Sequence, residues 1–374
     1  MRFGLIGTGY WAREVHAAGL QAHPDSELVG VWGRSPDKAA ALAGDLGVRA
    51  YGSLDELLAD VEAVAIAVPP HAQAEFAVEA AQRGVHLLLD KPLALDVAAA
   101  DRVVAAVERA GVGACVFFTM RYTENVAIWL DEVAGEDWYS ARVCIYTSIF
   151  EPGSPYAESV WRQERGALWD IGPHALSIAL PLLGPAESVI AQAGRGDAVD
   201  IGVRHTGGAT SLLSLSLTAP VGARGSEWHF ISAVSASALP TPATTPLEAF
   251  VACIDDLLGA VREGRPSRCT VQFARDVVEI LAAAERGLLA GGAAVGNAAD
   301  VTDDKWVGMG TGSDAGAPGE HLPDALLSED EQRMLAELER PAEGEPLTAV
   351  EDSPEMVNAA EDDSPLPNFQ PPPE

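Results

Sequence analysis

Phe3-Gly4-Leu5-Ile6 runs straight into Gly7-Thr8-Gly9-Tyr10-Trp11-Ala12 and then into Arg13–Ala18, a stretch of helical composition. A short apolar strand, a glycine turn and a helix in that register leave few folds open. They form the opening unit of a parallel sheet whose helix begins on an anionic ligand, the G-x-G-x-x-G/A dinucleotide fingerprint. Gly7 permits the turn, Gly9 lets the backbone approach a pyrophosphate, and small Ala12 allows helix to pack close on strand. The N–H groups of the first helical turn, with Thr8, Tyr10 and Trp11 around them, then face the phosphates.

The same alternation continues. Leu28–Trp32 reads as a second strand, ending at Gly33-Arg34-Ser35-Pro36. A fold that prefers NAD puts Asp or Glu at this strand end, to bind the ribose 2′-hydroxyl. Here the position is Gly33, so no carboxylate repels a 2′-phosphate, and Arg34 and Ser35 stand ready to hold one; NADP is the preferred cofactor, NAD the alternative. Ser35 also suits the N-cap of the next helix, with Pro36 at its first position. Ser53 and Glu56 have capping-box spacing. Ala63–Val68 is a buried strand halted by Pro69-Pro70, and Val85–Leu89 is another that stops at Asp90-Lys91-Pro92. Asp96 caps a helix to Ala110, and Val112–Phe118 is a further strand. Residues 1–120 are thus expected to form a doubly wound parallel sheet, with Pro69, Asp90 and Lys91 at the carboxyl edge where such sheets bind ligands. The chain holds three Lys (38, 91, 305) against 21 Arg. A Lys at a strand end in such a chain suggests a need for a compact, tunable ammonium. His71, in a loop, and His86, in a strand, have no charged sequence neighbour and read as structural.

Beyond Arg121-Tyr122 the pattern changes. Ala141–Ile149, Ile201–His205, Ser211–Thr218 and Glu227–Ser232 alternate as antiparallel strands of an open sheet, so residues 121–292 are expected to form an α+β domain. One helical run, Trp161–Ser177, interrupts them and places Asp170 and His174 one turn apart, where a carboxylate can orient an imidazole. Phe250–Arg262 and Phe273–Ala290 read as closing helices, the second packing on the sheet.

Residues 293–374 are rich in Gly, Pro and acid, and are expected to be mostly disordered. Ser328 and Glu331 could cap a short helix whose Met334, Leu335 and Leu338 form an apolar stripe, a candidate partner-binding segment. The chain carries 55 acidic and 24 basic residues, net −31, of which −16 falls after residue 300. That sign argues against nucleic acid and anionic membrane surfaces as partners. Four scattered Cys lack metal-ligand spacing, so no metal site is proposed and a reducing cytoplasm is expected. No apolar run has the length of a membrane span, and a first strand starting at Arg2 or Phe3 leaves no room for a signal peptide.

Taken together, Gly7–Ala12, the Pro69-Pro70 strand end, Asp90-Lys91-Pro92, Arg121-Tyr122 and the Gly-Ala-Leu-x-Asp-x-Gly-x-His run resemble the glucose-fructose oxidoreductase and inositol dehydrogenase (Gfo/Idh/MocA) family over residues 1 to 290. The resemblance implies a Rossmann domain followed by an α+β domain whose open, mostly antiparallel sheet makes a homo-oligomer interface. It implies a catalytic Lys91 on a cis Lys91–Pro92 bond, with Asp170 and His174 as its acidic and basic companions. The activity implied is hydride transfer between nicotinamide C4 and a secondary alcohol or ketone of a small sugar, polyol or cyclic substrate. Alternatives are a nucleotide-binding sensor or scaffold without turnover, and a glycosidase using bound nicotinamide for transient oxidation. Three positions depart from the family pattern: Asp90 replaces Glu, Gln73 stands where His is usual, and Ser177 where Asp is frequent. These positions are expected to shape the substrate pocket.

Overall fold

The computed structural model describes residues 1–291 and the backbone of Val295–Gly296. The acidic tail's expected disorder and the 328–338 helix lie outside the described residues.

The first domain is a six-stranded parallel sheet in the order β3-β2-β1-β4-β5-β6, made of β1 (Arg2–Ile6), β2 (Glu27–Trp32), β3 (Arg49–Ala50), β4 (Ala63–Ile66), β5 (His86–Asp90) and β6 (Ala114–Phe117). Order reverses between β1 and β4, which is the switch point where a doubly wound sheet opens a crevice. Ile6 pairs with Ile66, and Ile66 with Leu89, so Gly7, Ala67 and Asp90 leave the sheet at one level. Helices α1 (Ala18–Ala22), α2 (Pro36–Leu46), α3 (Leu54–Asp60), α4 (Pro70–Gln82) and α5 (Val97–Ala110) cover its faces. Caps follow the expected chemistry at Ser35, Ser53 and Asp96, whose side chains accept from Lys38, Glu56 and Ala99 N–H. The Ser53 box stays half-closed, because the Glu56 carboxylate turns to Arg49 at 3.7 Å. His71 lies in the first turn of α4, not in a loop, since Pro69 and Pro70 start the helix early. His86 accepts from Gly113 N–H at 2.8 Å, a structural role.

The second sheet runs β12-β11-β7-β10-β9-β8-β13, from β7 (Trp138–Tyr146), β8 (Ala186–Ala193), β9 (Val199–His205), β10 (Thr210–Ser216), β11 (Gly225–Ser232), β12 (Ala236–Ala238) and β13 (Val295–Gly296). All neighbours are antiparallel except β7 with β10. Its buried face, including Ala141, Val143, Ile145, Leu213 and Leu215, packs on helices; the opposite face is open and carries Tyr139, Ile190 and Leu212. The helices are α6 (Thr119–Tyr122), α7 (Glu124–Glu132), α8 (Val160–Asp170), α9 (Gly172–Leu183), α10 (Pro246–Glu263) and α11 (Val271–Leu289). Two features differ from expectation. The Trp161–Ser177 run is two helices, kinked at Gly166 (φ 61°) and divided at Ile171, because Pro173 has no N–H to continue the ladder. And α10, grouped by sequence with the second domain, packs on the first: Phe250 stacks on His16 at 4.3 Å and meets Phe117 edge-on at 5.0 Å.

The turn after β1 is sterically exact. At Gly7 φ is +134°, and a Cβ would sit 2.2 Å from the Ala67 carbonyl oxygen. Gly7→Ala is therefore expected to cost about 1 to 3 kcal/mol through overpacking and to abolish dinucleotide binding. Thermal melting together with a fluorescence titration using NAD checks both.

Candidate active site

Three elements deliver the site. The turn after β5 carries Lys91 on a cis Lys91–Pro92 bond, as the resemblance implies. The end of α8 carries Asp170, and the first turn of α9 carries His174. Lys91 Nζ donates to Asp170 Oδ1 (3.0 Å) and to the Asp170 carbonyl (2.7 Å). An ammonium has three donors, so one N–H stays available for a substrate oxygen.

The second oxygen of Asp170 is also taken. Arg162 Nε donates to Oδ2 at 3.0 Å, so the carboxylate lies between two cations. Asp170 is expected from the sequence to orient the imidazole; its two oxygens go instead to Lys91 and Arg162. His174 Nδ1 is shielded and has no hydrogen-bond partner, because its neighbour's oxygens are committed to Lys91 and Arg162. Burial raises the Asp170 pKa, but Arg162 and Lys91 outweigh it and hold the carboxyl far below its ordinary range. Burial and the Lys91 ammonium depress the His174 pKa well below 6.5, with the Asp170 charge opposing them. At neutral pH Asp170 is therefore a carboxylate and His174 a neutral imidazole.

Arg162 was invisible as a site residue in the sequence, where a charge beside Trp161 on a polar helix reads as a solvated face. The signal that could have exposed it is its company. Its guanidinium lies over Tyr156 (4.3 Å) and Trp161 (4.5 Å), and Tyr156 in turn meets Tyr10 of the glycine loop edge-on at 6.1 Å. The second domain thus reaches the nucleotide loop through Tyr156, whose hydroxyl burial keeps protonated.

Around the glycine turn, Thr8, Gly9, Tyr10 and Trp11 stand at the end of β1, and Ala12 is buried. The helix opens with a π-type turn, Ala12–Ala17, in which His16 points inward. A Cβ at Gly9 would meet nothing within 4 Å, so the turn faces open space where a pyrophosphate fits. Pro69 lies at the end of β4. Gly33 and exposed Arg34 follow β2; a Cβ at Gly33 would fall 2.7 Å from the Thr8 methyl, so a larger residue there would require the Thr8 side chain to shift. Among the described residues, none forms an ion pair with Arg34. Asp90 accepts from Lys91 N–H at 2.8 Å and faces His16 Nε2 at 3.6 Å.

The two remaining departures do not shape a pocket. Ser177 is fully buried and donates to the His174 carbonyl one turn back. Gln73 is fully buried against the backbone of the Lys91 turn. Among the described residues, no group of three or more His, Cys, Asp and Glu is placed to hold a metal, and no helix is long and apolar enough to cross a membrane.

These features define a doubly wound parallel sheet with a glycine turn at its switch point and a Lys91–Asp170 pair beyond its carboxyl edge. Residues 1–118 match the model of an oxidoreductase family with an NAD-binding Rossmann fold, GFO_IDH_MocA. It is 41% identical over 104 residues to UDP-N-acetylglucosamine 3-dehydrogenase of Acidithiobacillus ferrooxidans, covering 28% of this chain and 32% of that one. It is 35% identical over 205 residues to D-xylose 1-dehydrogenase (NADP(+)) 2 of Haloferax volcanii, covering 51% and 60%. The chain thus spans between about a third and three fifths of the length of these curated relatives. The fold is also that of GenD2 from gentamicin A biosynthesis, solved with NAD, at a TM-score of 0.68 and 24% identity over 79% of this chain and 96% of that one.

Neutralising Asp170 would leave two cations facing each other across a poorly hydrated gap. Asp170→Asn is expected to cost about 3 kcal/mol, the low end for removing one partner of a buried pair, since all three side chains keep slight exposure. Adding Arg162→Gln should recover part of that loss. Chemical denaturation of the three proteins checks it.

Proposed function

We propose that the protein is an NAD(P)-dependent dehydrogenase that oxidises a secondary alcohol of a sugar, polyol or related cyclic substrate. The observation that carries this reading is the convergence of Lys91, Asp170 and His174 beyond the carboxyl edge of the parallel sheet. The sugar class is supported by the names of the relatives. When bound, the nicotinamide dinucleotide supplies the hydride acceptor, or in the reverse direction the donor.

The chain's own residues do the rest. His174, neutral at pH 7, takes the hydroxyl proton as the alcohol becomes a carbonyl. The free N–H of Lys91 points its charge at the same oxygen and lowers the alcohol pKa, so less work falls on a weakened base. Asp170 does not touch the reaction; it fixes Lys91 and, with Arg162, sets the local field. The net charge of the four groups is positive, which favours a developing alkoxide and suits a substrate bearing a phosphate.

Arg34, exposed and without an ion pair among the described residues, supports NADP as the preferred cofactor. A charge-assisted bond to a phosphate is worth roughly 1.5 to 3 kcal/mol, about 10 to 150-fold in affinity. Arg34→Ala should weaken NADP by that factor and leave NAD nearly unchanged; equal loss of both would remove the assignment. Four unbridged thiols support a reducing, cytoplasmic setting. The open sheet face supports assembly with a second copy of the chain.

A panel of sugars, inositols and sugar phosphates, offered with NAD and NADP, tests the activity. With the best substrate, His174→Ala is expected to cut turnover about 100 to 10,000-fold while cofactor binding persists. Lys91→Met should cost as much. Cofactor binding without any oxidation across the panel would favour a sensor instead.

The pH profile gives a second test. A base must be unprotonated, and the His174 pKa is depressed, so kcat/KM for oxidation should hold constant down through pH 6.5 and fall only below it. Lys91→Met removes one cause of the depression, and the acid limb should move up toward 6.5. A wild-type limb centred above 6.5 would contradict the geometry.

A further inference from the structure

Gln73 lies in the second turn of α4 and is 1% exposed. Its Nε2 donates to the carbonyls of Asp90 (2.7 Å), Pro92 (3.1 Å) and Leu93 (3.2 Å), and its Oε1 accepts from Asp90 N–H (2.9 Å). All four partners belong to one stretch of backbone, Asp90–Leu93, that leaves β5 and carries Lys91. Three carbonyl oxygens converging on one point would repel each other and lie buried without donors; the amide's two N–H groups sit at their focus. A buried amide is costly unless it is bonded. Here every bond goes to this turn. The turn is also tied by its own side chain, Asp90 Oδ1 accepting from Lys91 N–H, but at Pro92 and Leu93 the tie comes from Gln73.

We propose that Gln73 is the positioning residue for Lys91: its amide clamps the Asp90–Leu93 backbone in the shape that delivers Nζ to Asp170 and to the substrate oxygen. The proposal rests on the reading of Lys91 given above, so its first test does not use turnover. Lys91 Nζ is bonded to Asp170 and its side chain is 11% exposed, whereas Lys38 is exposed. Brief acetylation with a water-soluble active ester, read by peptide mass spectrometry, gives the ratio of Lys91 to Lys38 modification. Gln73→Met keeps the length and removes the amide. Gln73→Glu keeps the volume and the acceptor but turns an oxygen on the three carbonyls. Gln73→His retains one donor and one acceptor.

In folded Gln73→Met and Gln73→Glu proteins the ratio should rise about tenfold, as a turn released to local opening exposes its side chain. Gln73→His should stay near the wild-type ratio. Should Gln73→Met not fold, the contrast between Gln73→Glu and Gln73→His carries the test. A wild-type ratio in a folded Gln73→Met or Gln73→Glu protein overturns the proposal.

Turnover on the best substrate of the panel is the second readout. Displacing a reacting group by an ångström costs on the order of 100-fold, so kcat should fall by about that much in Gln73→Met while the dinucleotide Kd holds. In a Lys91→Met background the same substitution should cost nothing more, because the group it positions is gone. A purely structural role would add its full cost there, and that outcome also overturns the proposal. If acetylation rises but kcat does not fall, the clamp stands and the catalytic reading of Lys91 fails.

Discussion

The site depends on one carboxylate shared by two cations. Asp170 accepts from Lys91 on one oxygen and from Arg162 on the other, and in doing so joins the edge of the first domain's sheet to a helix of the second. Taking three charges out of water is unfavourable, and an isolated buried pair of this kind often contributes nothing net to stability. The triad is better understood as a specification of geometry. Each of Asp170's oxygens has one partner in a fixed direction, so the ammonium, the guanidinium and the carboxylate have a single mutual arrangement. The main-chain carbonyl of Asp170 gives Lys91 a second acceptor, which removes the rotational freedom that one ion pair would leave.

The same arrangement decides the imidazole's role. Had Asp170 bonded to His174, the pair would favour an imidazolium at neutral pH. With its oxygens committed elsewhere, the carboxylate acts on His174 through space alone, and burial and Lys91 prevail over it. At neutral pH the ring is then an unprotonated imidazole, not a stored proton.

The parallel sheet and the Lys91 edge were legible in the chain because each rests on local chemistry: buried apolar runs, a glycine turn, prolines and charges at strand ends. What stayed hidden depends on tertiary partners. Strand β8, Ala186–Ala193, mixes Ala, Glu, Ser and Gln in a pattern that fits a helix or a loop as well. Helix α10 carries an apolar face that two domains could bury, and only Phe250 against His16 and Phe117 decides for the first. Arg162 looks like any exposed arginine until Asp170 faces it. The resemblance places Gln73 and Ser177 at the pocket, but a position's place in a motif does not say which way its side chain turns. The tie from Gln73 spans 17 to 20 residues and could not be read from either end.

The chain's charge poses a last physical question: why should a protein of net −31 bind anions at all? Half of that imbalance lies after residue 300, and the remainder is spread over the surface of a large body. At physiological salt, charges more than about 8 Å away are largely screened. Lys91 and Arg162 are largely buried (side chains 11% and 19% exposed), where a unit charge at about 4 Å is worth roughly 4 kcal/mol at an effective dielectric of 20. Near neighbours therefore outweigh the global field. The surface charge acts on encounter instead, slowing the approach of an anion at low ionic strength and losing that influence as salt is added. Cations so placed act by contact and not by steering.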